Sequence, residues 1–503
     1  MSGTSPPAEP GRTKREPLSR HPAGSLGELA AVAVPLMVST GTYAVMIFCD
    51  RLFLARYSAD AFAAALPSGL LIWTLMALSI GLVRYSTTFV SQYHGAGRPD
   101  RVKASIWQAM LFAAVSGAVL WAATPLWLRL IESFGHEAAV LREETAYFAA
   151  LTWTFLPRLL TIAATGYFAG RGRTGVVMVS GVVGSVVNLV LDPLLIFGSD
   201  WIPRLPFGPL GVAGAAAATV VGTCAELAVF LIAAARETPS DPAATWRATF
   251  GFDGELFRRM VRFGLPQGMQ FLADLASFQV VIALVGRLGK PELVATNLAF
   301  QLNSLAFVPM IGLGRAVSTI VGHRVGEANV GRANASVMKS LAFGMLWMGA
   351  FVVAYFAYPD AVLRLVGGSD SDVSPEAMGY AVVLLKFIAV YSLFDVAAIV
   401  FGAAVNGAGD TKFSFLLLMT VNWSLMVLPL TLLVWAGENT LYRSWGLITL
   451  AIAVLGVSYL LRYRYGPWRT MTVLGDDAVP LPDLPTPDSS VEESKTPEPA
   501  LAT

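Results

Sequence analysis

Charge is scarce in this chain, and the scarcity limits what it can be. Asp, Glu, Lys and Arg make up 14% of its 503 residues against 55% hydrophobic, with a mean hydropathy of +0.61. A water-soluble protein of this length needs far more polar surface, so that class is excluded. Cysteine is almost missing: Cys49 and Cys224 lie in apolar runs and read as small hydrophobes, with no disulfide or metal framework. The four histidines, His21, His94, His136 and His323, fall in the tail or in loops, too far apart in sequence to suggest a site. HExxH, CxxC, GxxxxGK[ST] and GxSxG do not occur in a usable context, which leaves no seat for metalloprotease, redox, ATPase or serine-hydrolase chemistry. The chain is expected not to be an enzyme, to carry no cofactor and to bind no nucleic acid. The short alternating segments of a membrane β-barrel are missing too.

Long apolar segments take the place of all this. They run at roughly 29–49, 62–90, 104–128, 145–169, 175–197 and 210–235, then 258–286, 293–322, 337–357, 377–405, 412–434 and 443–463. Each is long enough to cross a hydrocarbon core of ~30 Å as a helix. The expected fold is all-α integral membrane, with twelve transmembrane helices as two parallel-repeat six-helix lobes.

The repeat is written in the sequence. IGLVRYSTTFVSQYHGAGRPDRVKAS (Ile80 to Ser105) returns as IGLGRAVSTIVGHRVGEANVGRANAS (Ile311 to Ser336), with about ten of 26 positions identical. Gly81 repeats as Gly312, Arg84 as Arg315 and Gly95 as Gly326, and Pro35 is joined to Pro266 at the same offset; the loop Gly170 to Thr174 returns as Gly407 to Thr411. Six is even, so both halves enter from one side and the repeat is parallel.

The expected organisation is a basic disordered tail (1–26), an N-terminal lobe (27–236), a linker (237–257), a C-terminal lobe (258–466) and an acidic, proline-rich disordered tail (467–503). The net charge of +1 is uninformative, whereas its distribution is not. The loops on the side of the termini carry about twenty Lys and Arg against about nine opposite, which the positive-inside rule reads as cytoplasmic. A bacterial inner-membrane location with both termini inside is the corresponding expectation.

Twelve segments in a six-plus-six parallel repeat, SQYHGAGR at Ser91 to Arg98 with its echo at Val321 to Glu327, NLVLDPLLIFG at Asn188 to Gly198 and GVAGAAAAT at Gly211 to Thr219 together resemble multidrug and toxic compound extrusion (MATE) transporters. The resemblance covers residues 28 to 465. It implies two six-helix lobes in a V that alternate access and exchange Na⁺ or H⁺ for amphiphilic, often cationic, solutes, with membrane lipid around a monomer. A lipid-linked oligosaccharide flippase of the same superfamily is the alternative; such flippases often have fourteen spans or a strongly cationic cavity.

Carboxylates inside spanning helices are costly and are functional candidates by default. Asp274 and Asp395 each lie about 20–24 Å along the helix from the end nearest the termini, at one depth in the C-terminal lobe. They match the acidic pair of the family's Na⁺-exporting branch, with Asp274 replacing a more usual Glu. Asp50, Asn188 and Asp192, with Thr219 added, match the family's N-terminal-lobe site; Asn188 and Asp192 are four apart and share a helix face. Carboxylates with an amide oxygen and a hydroxyl suit Na⁺ as a hard cation, and a desolvated carboxylate can equally carry a proton. An Na⁺ site is therefore expected at Asp274 and Asp395 or at Asp50, Asn188 and Asp192. The bland alternative for Asp50 is an interfacial pair with Arg51.

Laid on the first half, the second half places Asp395 over Arg158 and Asp274 over Tyr43. Arg158 is expected to pair with Asp192 or Asp50 as an internal counter-charge, leaving coupling mainly to Asp274 and Asp395. Arg84 and Arg315 are expected to snorkel to the interface or brace the repeats.

Overall fold

The computed structural model describes residues 17–200, 202, 206–237, 251–367 and 374–475. Among these residues every regular element is helical, and twelve helices are long and apolar enough to cross a membrane. They are α1 (Leu26–Tyr57), α2 (Ala59–Gly95), α3 (Pro99–Ala122), α4 (Ala138–Gly170), α5 (Thr174–Asp200), α6 (Gly211–Ala235), α7 (Gly254–Gly286), α8 (Lys290–Gly326), α9 (Val330–Ala357), α10 (Pro375–Ala408), α11 (Thr411–Trp435) and α12 (Leu441–Tyr465). Short helices, Thr124–Glu132 and Pro359–Gly367, follow α3 and α9 at matching places in the two halves.

Local chemistry starts these helices. Ser25 caps α1 by accepting the Glu28 amide at 3.1 Å, while Glu28 reaches back to the Gly24 amide at 2.6 Å, a variant of the capping box. Asp253 caps α7 by accepting the Leu256 amide and also takes Arg101 at 3.0 Å, so α7 begins four residues before the expected 258. The linker residues 238–250 lie outside the described residues. The repeat extends to the backbone: the turns after α2 and α8 each place one residue in the left-handed region, Gly97 at φ 71° and Ala328 at φ 57°. Alanine there costs about 1–2 kcal/mol, so the shared loop geometry is imposed by the surrounding pack.

In the N-terminal lobe α5 packs on α6 and α1, and α2 and α3 on α4; in the C-terminal lobe α10 packs on α8, α9 and α12, and α7 on α11. The lobes meet where α1 and α2 cross α8 and α7. Glycine permits the crossings. A Cβ on Gly81 would lie 2.2 Å from the Gly268 Cα, and one on Gly312 would lie 2.6 Å from the Met37 Cα.

The end of the bundle that carries both termini is sealed. Glu28 of α1 pairs with Arg324 of α8 across the lobes, both buried, and Arg324 also holds Glu327 at 2.6 Å. Gln92 donates to the Gly407 carbonyl at 2.9 Å, and its oxygen accepts from Thr472 and the Val473 amide. His94 and His323 are not loop residues: they belong to α2 and α8, and their rings meet here 5.2 Å apart. Packed structure reaches beyond the expected tail boundaries. Leu18 is buried before α1, as are Trp468, Val473 and Leu474 after α12.

Candidate functional site

Away from the sealed end the lobes part around a cavity of about 880 Å³. Its N-lobe wall carries Tyr43, Trp73, Arg158 and Glu226, its C-lobe wall Phe271, Asp274, Asp395 and Asn422, and α2 and α8 add Arg84 and Arg315. Aromatic and aliphatic lining with a few fixed charges is the usual make-up of a site for amphiphilic molecules.

The sequence-predicted carboxylates separate into two groups. Asp274 and Asp395 both line the cavity, and Asp395 lies in the field of Asp274. Asp274 accepts from the Asn422 side-chain amide at 3.1 Å; the same amide reaches the Ser277 hydroxyl at 3.3 Å. Asn422 belongs to a π-helical stretch of α11, Thr420–Val427. Widened turns of this kind frequently mark functional positions. Asn422 was not among the expected residues, although a lone Asn in the apolar run that follows Lys412 is the signal that finds it.

Asp50, Asn188, Asp192 and Thr219 also come together, but behind the N-lobe wall and outside the cavity lining. Asn188 donates to Thr219 at 3.3 Å and to Asp192 at 3.5 Å. Asp50 is 8% exposed, and Asn188 and Asp192 are fully buried. Asp50 Oδ1, Asn188 Oδ1 and Asp192 Oδ2 have no hydrogen-bond partner. Buried oxygens without donors are costly. Two adjacent carboxylates repel one another, and a shared proton or a positive ion relieves that repulsion. Such a set of oxygens fits a small hard cation. Among the described residues no ion pair joins Asp50 to Arg51; the Arg51 charge acts on the Asp50 carboxylate only through its field, and the groups beside that carboxylate are Asp192, Asn188 and Thr219.

Arg158 departs from expectation. It pairs with Glu226 of α6 at 3.1 Å, with Tyr43 and Trp73 ring centroids 4.5 and 5.8 Å from its guanidinium carbon. It therefore supplies no counter-charge to Asp50 or Asp192. Glu226 stands two turns after Thr219, and α6 packs against α4 so that the carboxylate reaches Arg158. The only acidic residue of α6 was a legible signal by the cost of burying it. Arg84 and Arg315 likewise do not snorkel: both face the cavity.

The family model for MatE matches residues 35–194 and 266–432, one segment in each lobe. A probable multidrug resistance protein NorM of Pseudomonas aeruginosa is 26% identical over 450 residues, 88% of this chain and 90% of the relative. A second, from Pseudomonas putida, is 27% identical over 469 residues, 91% and 97% of the two chains. Among solved structures, the outward-facing conformation of a multidrug resistance MATE family transporter of the MOP superfamily superposes with a TM-score of 0.78 at 19% identity, covering 87% of this chain and 94% of that one. A MOP superfamily transporter from Pyrococcus furiosus, described as having a binding pocket of reversed polarity, superposes with a TM-score of 0.78 at 20% identity over 90% and 98% of the chains. With matching segments in both halves and the two-lobe fold shared, this chain belongs to the MatE family.

Proposed function

We propose that the protein is an inner-membrane secondary multidrug exporter that couples inward Na⁺ or H⁺ to outward movement of amphiphilic solutes. Both termini are cytoplasmic in this reading, which makes the sealed end the cytoplasmic gate and the structure outward-facing. The relatives named as multidrug resistance proteins support the activity, and the division of the carboxylates supports the mechanism. The observation that carries it is the trio of buried, unpartnered oxygens at Asp50, Asn188 and Asp192 beside a separate, cavity-facing pair at Asp274 and Asp395.

The buried cluster takes the coupling ion, and Thr219 adds a hydroxyl. Asp274 and Asp395 contact the positively charged part of the solute. A bound ion or proton removes repulsion within the cluster, and so shifts the balance between lobe arrangements by its difference in affinity for them. Arg158 does not relieve the N-lobe of this task, because Glu226 holds it.

The test is efflux of rhodamine 123, a monocationic dye, from proteoliposomes under an imposed Na⁺ or pH gradient. One gradient drives efflux by the native chain. Asp50→Asn abolishes the response while dye binding in detergent persists, and Asp274→Asn weakens binding about tenfold, the scale of a lost charge-assisted contact. Gradient-driven efflux by Asp50→Asn would remove the cluster from the mechanism. Movement of lipid-linked oligosaccharide with no dye response to either gradient would put the flippase in its place.

A further inference from the structure

The cavity wall carries two cations, Arg84 and Arg315, that no carboxylate among the described residues holds in an ion pair. Arg84 and Arg315 occupy equivalent positions of the repeat, each three residues after the glycine at which its helix crosses the opposite lobe. Both line the cavity, Arg84 exposed to it and Arg315 half-buried. The Arg84 guanidinium lies 5.4 Å from the centre of the Phe271 ring, and Arg315 Nε has no hydrogen-bond partner. Arg158 is different, because Glu226 takes it at 3.1 Å. Neither Arg84 nor Arg315 forms an ion pair among the described residues.

None of the three wall carboxylates reaches either guanidinium as an ion pair: Glu226 holds Arg158 and acts on Arg315 only through its field, Asp274 accepts from Asn422, and Asp395 lies in the field of Asp274. Arg84 lies in the field of both Arg315 and Arg158, so like charges face one another in a cavity with apolar walls. An arginine cannot relieve this by losing its proton at physiological pH. An anion between the two guanidinium groups relieves it, and their planar forks match a carboxylate or other oxyanion in two-point contact.

We infer that Arg84 and Arg315 form an oxyanion subsite, so that the cavity selects amphiphiles carrying a carboxylate or similar group as well as a cationic one. This rests on the solute-transport reading above and names the substrate class. A zwitterionic aromatic molecule would place its anion between α2 and α8, its cation towards Asp274 and Asp395, and its ring system among Tyr43, Trp73 and Phe271.

Rhodamine 110, with a free carboxylate, and rhodamine 123, its methyl ester, share one ring system and differ in that charge and in the small methyl group that removes it. Their dissociation constants are measured by fluorescence polarisation on the purified full chain in detergent. The native protein binds the acid more tightly than the ester, by roughly tenfold for a two-point charge-assisted contact. Arg84→Gln with Arg315→Gln brings that ratio to about one, and Arg84→Lys with Arg315→Lys restores part of it. Should the double Gln variant fail to elute as a monodisperse species, the single variants, each lowering the ratio about threefold, decide the matter. Equal constants for the two dyes on the native chain, or a ratio that survives both substitutions, overturns the subsite; gradient-driven efflux of the ester in that case leaves the transport reading standing. Failure to bind either dye overturns both.

Discussion

Replacing Glu28 by glutamine tests whether the sealed end is a gate. Glu28 lies on α1 of one lobe and Arg324 on α8 of the other, so their pair exists only while that end is shut. Both side chains are buried, and removing one partner of a buried pair costs about 3–5 kcal/mol. Two contacts soften the loss. Arg324 keeps Glu327 at 2.6 Å, and the side-chain carbonyl of the introduced glutamine can still accept the Gly24 amide that Glu28 accepts at 2.6 Å. About 2 kcal/mol remains, which shifts the ratio of open to shut by roughly thirtyfold. Spin labels at Asp100→Cys and Arg332→Cys, both exposed at this end on opposite lobes, report the change by pulsed dipolar spectroscopy. Cys49→Ala and Cys224→Ser remove the native thiols. Glu28→Gln is expected to populate a longer distance, and Glu28→Gln with Arg324→Gln to recover part of the native distribution, since no orphaned charge is left. An unchanged distribution in Glu28→Gln would refute the reasoning.

The Arg158 and Glu226 pair predicts a coupled loss of stability: each single glutamine substitution lowers the thermal-unfolding midpoint, by about 2 kcal/mol of stability for a partly accessible pair, and the double recovers most of it. Losses that simply add in the double would show that the two side chains do not interact. Gly81→Ala places a Cβ against the Gly268 backbone and is expected to shift the spin-label distances towards the open gate, as Glu28→Gln does. Gly41, also within a spanning helix but with open space around it, serves as the comparison: Gly41→Ala should leave the distances unchanged and add about 0.5–1 kcal/mol of helix stability. Equal effects at the two glycines would discard the close-approach argument.

The number of spans, the parallel repeat and the family were legible in the sequence for a physical reason. Crossing a membrane requires an apolar run of set length, and each run is a local property of the chain. The spacing from Gly81 to Arg84 and from Gly312 to Arg315 likewise survives in sequence because each pair lies within one helical turn. The grouping of Asn188 with Asp192 was readable from their spacing, and Asp50 and Thr219 joined them through the family resemblance.

Contacts between helices were another matter. A repeat says which positions are equivalent, and equivalence does not say what faces what. Arg158 was matched to Asp395 by the repeat, yet its partner Glu226 is chosen by the packing of α4 against α6. Arg84 and Arg315 read as interfacial from their distance to the loops, but the glycine crossings turn them towards the gap between the lobes. The histidines that seemed too far apart meet because α2 and α8 close the same end. Hydrophobic length placed the helices in the membrane, and side-chain volume at their crossings decided which charges share a cavity and which are buried behind its wall.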